Sequence, residues 1–286
     1  MRLWPSMFFA LPVAVITVMI GACGGGGEDT PTSSTTTSGT IDAGNDPNFN
    51  IVAHSDAGFT ATNRKVDVFG IPIYAYAEVE DVKLLHAANI MAQYLDNDED
   101  GQVDNATLLT ALTTNNASLF MWKTEAQKNL DGQDLGADES IPLWHTNGHT
   151  GTFDAALEEV LHVITHTGYT NAYPSVFGEQ AGTAIASAMD IARGGHFQTI
   201  PSSYPSGAWY TYTDASCNYA CMITEYFYWS LTSILGAQQD RLGDISDEWN
   251  LNTSALVQSG DPAIYGVLTD SQYKVPTVLP DGTYRR

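Results

Sequence analysis

The chain has 286 residues, with 33 acidic against 11 basic side chains and a formal net charge of −22. So acidic a surface repels phosphate backbones and anionic lipid headgroups, which argues against nucleic-acid binding and against electrostatic membrane attachment, while suiting cations or a salty exterior. With 43% hydrophobic residues the chain has ordinary globular composition, and no solenoid or propeller repeat is visible.

The first residues do not read as part of the folded body. Arg2 precedes a long apolar run ending in "VMIGAC", with the charged start, hydrophobic centre and small residues of a secretory signal. The stretch Ile20, Gly21, Ala22, Cys23 resembles the lipobox of bacterial lipoproteins. That resemblance implies removal of residues 1–22 as a signal peptide, lipid on Cys23, and attachment to the bacterial cell envelope through the lipid alone. Gly24 stands where an Asp is associated with inner-membrane retention, so the resemblance implies an outer-membrane or cell-surface location. Residues 23–49, rich in Gly, Ser and Thr, bury too little apolar surface to offset their ordering entropy and read as a flexible tether. Residues 50–286 remain as a single globular domain.

Within that domain "RKVDVFGIPIYAYAEV" alternates β-branched and aromatic residues around Gly70 and Pro72, the pattern of two short strands or a bent edge. "EDVKLLHAANIMAQYL" turns to helical spacing, with His86 and Lys83 flanking its apolar stripe. Then comes "DNDEDGQVDNATLL". Asp96, Asp98, Asp100 and Asp104 occupy positions 1, 3, 5 and 9 of an EF-hand-like loop over residues 96–107, Gly101 takes the sharp turn, and the carbonyl of Gln102 stands at position 7. Alternate aspartates in a tight loop converge their oxygens on one point, as Ca²⁺ requires. The departure is Thr107 at position 12, where a bidentate Glu is expected; the loop therefore reads as a structural pin rather than a switch. Next, "TTNNASLFMWKTEAQKNL" reads as helical and "DGQDLGADESIPLWHTNGHTG" as a loop carrying His145 and His149.

Residues 153–167 read as a helix that stops at Gly168. Leu157, Val160, Leu161 and Ile164 form its buried stripe, while Glu158, Glu159, His162 and His166 share the other side at about 100° per residue. Ligands one turn apart on a helix can converge on one metal ion. Two registers are possible: His162 with His166, or Glu158 with His162, the latter aligning "EEVLH" on HExxH with Glu159 in the place of the general base. A single Glu-x-x-His could also belong to a carboxylate-bridged di-iron site, but no second copy exists. Downstream, "CMITEYFYWSLTSILG" is an apolar helix in which Glu225 is the only acid, costly to bury unless paired or metal-bound. "FGEQAGTAIASAMDIARGG" reads as a helix with Glu179 near its start, His196 as a loop residue, and "SSYPSGAWYTYTD" as an aromatic loop.

"EEVLH" followed by "TEYFYW" resembles a degenerate zincin metallopeptidase, nearest the lethal-factor-like gluzincin pattern. The resemblance covers two short segments, and its first ligand is Glu158 where the motif has His. It implies Glu158, His162 and Glu225 as ligands of Zn²⁺ or another divalent transition metal, Glu159 as base, and Tyr219 or Tyr212 as the oxyanion-stabilising tyrosine. Glu158 in place of His leaves more negative charge on the ion, lowering its Lewis acidity. With Cys23 assigned to lipid, Cys217 and Cys221 form an even remainder that suggests a disulfide in an oxidising exterior; a metal-binding pair is the rival reading.

The expectation is thus a mainly α domain with a few short strands (α+β), zincin-like, holding Ca²⁺ and a transition metal. Its function is that of a metal-dependent hydrolase acting on peptides or proteins. The alternative is a non-catalytic calcium-binding surface protein whose acidic and aromatic surface contacts a partner. No G-x-S-x-G elbow, P-loop or dinucleotide fingerprint is present.

Overall fold

The computed structural model of the protein describes residues 48–286. The signal segment, Cys23 and almost all of the tether lie outside the described residues. Among the described residues no helix is long and apolar enough to cross a membrane.

The fold is α+β. A five-stranded mixed sheet runs in the order β1 (Val52–Ala53), β2 (Arg64–Val68), β3 (Ile71–Ala75), β4 (Leu119–Trp122) and β5 (Gln133–Gly136). β2 and β3 form a hairpin whose two turn residues, Phe69 and Gly70, both have positive φ, 52° and 87°. Two such residues give the turn whose twist matches the flanking strands. β3, β4 and β5 are parallel, so each step between them needs a crossover. The first crossover contains α1 (Asp81–Leu95) and α2 (Ala106–Thr114); the second is a tight 3₁₀ turn at Glu125–Gln127.

The stretch expected to be helical before residue 130 is therefore β4. Its four residues, Leu119, Phe120, Met121 and Trp122, are all buried. A strand covered on both faces reads as a continuous apolar run, which periodicity alone does not separate from a buried helix. The expected loop after residue 130 is also structured, as β5 and α3 (Pro142–Thr146). Asp134 lies buried within β5 because the Trp122 indole donates to it at 2.7 Å and Lys128 stands 3.3 Å away.

α4 (Ala156–His162) packs against α1, β5 and α8 (Tyr219–Leu235). Leu157, Val160, Leu161 and Ile164 are fully buried, and Tyr94 of α1 donates to the Leu157 carbonyl at 2.8 Å. The helix does not stop at Gly168. It widens into a π-helical turn over Val163–Tyr169 and runs on through α5 (Thr170–Ala172), with α6 (Pro174–Phe177) following Tyr173. Gly168 serves close approach instead: a Cβ there would lie 2.6 Å from Leu108 Cδ1 and 3.0 Å from Leu112 on α2.

α7 (Ala184–Ala192) begins after Glu179, where the Thr183 hydroxyl accepts from the Ala186 amide. α8 is capped by the Asn218 side chain, which accepts from the Cys221 amide at 3.1 Å, and ends at left-handed Gly236. A disulfide joins Cys217 to Cys221 at this helix start. α9 (Leu242–Ile245), α10 (Ser254–Gly260) and α11 (Pro262–Leu268) follow, and residues 277–286 return to the end of α1.

Candidate metal centres

The two helices α4 and α8 meet with their polar positions facing. Glu158, His162 and Glu225 each offer one ligand atom, and these atoms lie within 4.8 Å of one another. Burial of the apolar stripe of α4 fixes the rotation of the helix, and with Leu157 and Leu161 inward Glu158 and His162 lie on the side that meets Glu225 of α8. His162 Nε2 is 3.5 Å from Glu225 Oε2. That nitrogen is buried and, among the described residues, has no hydrogen-bond partner, and a buried polar atom left so is costly unless something else occupies it. The donor set of one imidazole and two carboxylates fits a divalent ion.

The electrostatics point the same way. Burial alone would discharge His162, but Glu225 and Glu159 outweigh it and hold its pKa well above the usual value. Burial, with Glu225 and Glu159 beside it, pushes the Glu158 carboxyl well up. Carboxylates crowded this closely repel one another, and a cation relieves all of them at once.

Glu159 does not face the same point. It is 2% exposed, accepts from the Gln133 side chain, and its Oε2 is 3.6 Å from His162 Nδ1. It thus lies at the ring nitrogen opposite the one that faces Glu225, a position from which a carboxylate can orient an imidazole. His166 does not join the group either. Its Nδ1 is 2.7 Å and 2.9 Å from the two Glu179 oxygens, and the Thr224 hydroxyl donates to Glu179 at 2.7 Å. The regular helical projection that aligned His166 with His162 ceases to apply where the π turn begins at Val163.

The two candidate tyrosines part company. The Tyr219 hydroxyl donates to Asp190 Oδ2 at 3.0 Å and its ring packs on His196, away from the cluster. Tyr212 stays near it: burial first, then Glu225, Tyr210 and Glu158, drive its pKa up. Glu248, to which no role is assigned from the sequence, also approaches Glu225; burial and that carboxylate raise its pKa to about 7. In "DISDEWN" nothing marks it among the other surface acids.

The acidic loop joins α1 to α2 as a helix–loop–helix. Asp96, Asp98 and Asp104 bring ligand oxygens within 4.8 Å of one another. Asp100 stands outside that group of three, its Oδ1 accepting from the Gln102 amide at 2.8 Å. Asp96 is fully buried and accepts from the Gly101 amide at 2.8 Å and from the Tyr284 hydroxyl. Asn97 ties the loop to residues 277–278: its Oδ1 accepts from the Thr277 and Val278 amides, both at 2.8 Å, and its Nδ2 donates to the Val278 carbonyl at 2.9 Å.

His145, expected in a loop, lies on α3 and is drawn with His86 onto the buried Asp154. His86 and Asp154 are 68 positions apart, and no local spacing announces their meeting. No family model, curated protein or solved structure matches this chain.

Proposed function

We propose that the protein is a lipid-anchored, metal-dependent hydrolase of the cell envelope, zincin-like in its site, in which Glu158, His162 and Glu225 hold Zn²⁺ or another divalent transition metal and the substrate is a peptide or protein. The observation that carries this reading is the convergence of those three side chains from two helices, with a buried His162 nitrogen left without a hydrogen bond. Bound there, the ion would supply Lewis acidity and a water acidified toward neutral pH. Tyr212, and Tyr228 whose ring packs on His162 at 5.8 Å, are hydroxyls suited to donate to a developing oxyanion. Glu159 orients His162, and a raised pKa near 7 equips Glu248 to exchange a proton at neutral pH.

Ca²⁺ at Asp96, Asp98 and Asp104 belongs to the same reading, as a pin that fixes α1 against α2. The position of Glu159 favours a second reading: with that carboxylate turned to His162 Nδ1, the protein would be a calcium-binding surface lipoprotein whose other metal is structural and which binds a partner. Metal analysis of the purified chain with cleavage of a peptide library separates the two. Loss of a transition metal in Glu158→Gln, His162→Gln and Glu225→Gln, its retention in His166→Gln, and metal-dependent cleavage are the expected results. Metal lost in His166→Gln but kept in Glu158→Gln overturns the ligand set, and binding without cleavage selects the second reading.

A further inference from the structure

A second cluster of ligand-bearing side chains stands at the entrance to α4. His86 comes from α1, His145 from α3, and Asp154 lies just before α4, so three separate elements meet at one point. Asp154 is fully buried. Its Oδ1 accepts from the Ile141 amide at 2.7 Å and the Ala156 amide at 3.2 Å, which turns Oδ2 toward the two rings. His86 Nε2 is 2.6 Å and His145 Nε2 2.7 Å from that oxygen. Side-chain exposure is 5% for His86 and 2% for His145, so solvent does not compete for these contacts.

We propose that His86, His145 and Asp154 form a second divalent-cation site, distinct from the Glu158, His162 and Glu225 group, which takes a transition ion of the Zn²⁺ class. Two imidazoles and one carboxylate are a borderline donor set, which selects Zn²⁺, Co²⁺ or Fe²⁺ over the hard Ca²⁺ and Mg²⁺. The carboxylate is already held by two backbone amides, the outer support a ligating carboxylate needs. His145 Nδ1 is buried and has no hydrogen-bond partner among the described residues. Facing the carboxylate, Nε2 carries the ring proton; the unbonded Nδ1 is where that proton can go, which frees the Nε2 lone pair for an ion. Two ligands each about 2.1 Å from a tetrahedral ion stand roughly 3.4 Å apart. Entry of the ion thus draws the rings back from Asp154 by several tenths of an ångström, and the proton on each Nε2 moves to Nδ1 of the same ring, so that each ligand stays a neutral imidazole.

The neighbours define the competition. Lys83 Nζ donates to the Ser140 carbonyl beside Ile141 and is the rival positive charge for Asp154, which lies close enough to act on it. Residue 282 presses on the other ring: a Cβ at Gly282 would lie 2.2 Å from His86 Nδ1. Without an ion the cluster is a hydrogen-bonded clamp. With one, the start of α4 is pinned one turn, about 6 Å, before Glu158.

The test uses the full chain carrying Glu158→Gln and His162→Gln, which silences the other group, with excess Ca²⁺ present to occupy the acidic loop. After loading with Co²⁺ and removal of unbound ion, this chain is expected to keep about one Co²⁺ and to show visible d–d absorption. Adding His145→Gln or His86→Gln should abolish both while the circular dichroism spectrum is unchanged; if His86→Gln unfolds, His145→Gln on the short α3 reads alone. The proposal is overturned if the folded double variant binds no Co²⁺, or if stoichiometry and spectrum survive both histidine substitutions. Because the other group is silenced throughout, its own failure to bind in the parent chain leaves this result readable.

Discussion

His162 lies between two carboxylates, Glu225 at one ring nitrogen and Glu159 at the other. The role of Glu159 is decided by which property its loss affects. As an orienting group, Glu159→Gln should weaken metal affinity about 10- to 100-fold; as a general base it should leave affinity unchanged and lower turnover by about 10²–10⁴. Competition against a chromophoric chelator reads the first and single-turnover cleavage the second; the geometry favours the loss of affinity. Glu139, whose Oε2 accepts from the Gly136 amide at 3.0 Å, gives a pH prediction. Burial, aided by Glu159, raises its pKa from 4.5 to about 7. The folded state then binds more protons than the unfolded one between these values. Its contribution to stability is present in full below pH 4.5 and is lost as pH rises through about 7. Glu139→Gln should flatten that part of the profile relative to the parent in urea titrations at successive pH values; parallel profiles would refute it.

At the scale of elements, Gly168 shows how a residue can be read for the wrong property. Glycine after a helical run signals a stop, yet here the absent side chain makes room for Leu108 and Leu112. Gly168→Ala gains roughly 1 kcal/mol of helix propensity but overpacks the contact at about 1–3 kcal/mol. Net destabilisation is expected in chemical melts, relieved by Leu108→Ala in the same chain; an additive double mutant would remove the explanation. The long periodic elements α1 and α8 were legible because amphipathic spacing is a local property. So were two strands around Gly70, though not apart from a bent edge, and the meeting of Glu158, His162 and Glu225, the last because one acid stood in an apolar helix. β4 was not, since its four apolar residues carry no period, and β5 was not, since Gln133, Asp134 and Gly136 become a strand only where β4 offers an edge. The cluster at Asp154 depends on a contact 68 positions distant, which no window of sequence contains.

For the whole molecule, residues 277–286 couple the acidic loop to regions far away in the chain. Asn97 holds residues 277 and 278, Glu99 accepts from the Arg285 amide at 3.0 Å, and Gln93 accepts from the Asp281 and Gly282 amides at 2.9 Å and 2.8 Å. If Ca²⁺ occupies the loop, chelation should lower the melting temperature and open this segment to protease together with the loop. A saturating ion at 100 times its dissociation constant adds about 2.7 kcal/mol to folding, and an unchanged melt would exclude it. Gly282 also lies on His86, so the same segment touches α1 both within the helix at His86 and just past its C-terminus at the acidic loop.

The bond from Tyr284 to Asp96 spans 188 positions, and its consequence is one of time. Closing so long a loop is entropically costly before any contact rewards it, so this bond is expected to form on the native side of the folding barrier. Tyr284→Phe leaves a buried Asp96 oxygen short of one donor, at about 1–3 kcal/mol. Nearly all of that loss should emerge as faster unfolding, about 5- to 150-fold, with the refolding rate unmoved. A stopped-flow chevron in which refolding slows instead would place the segment in the nucleus. On the expected result, the lifetime of the folded protein is governed by a hydroxyl that plays no part in starting its folding.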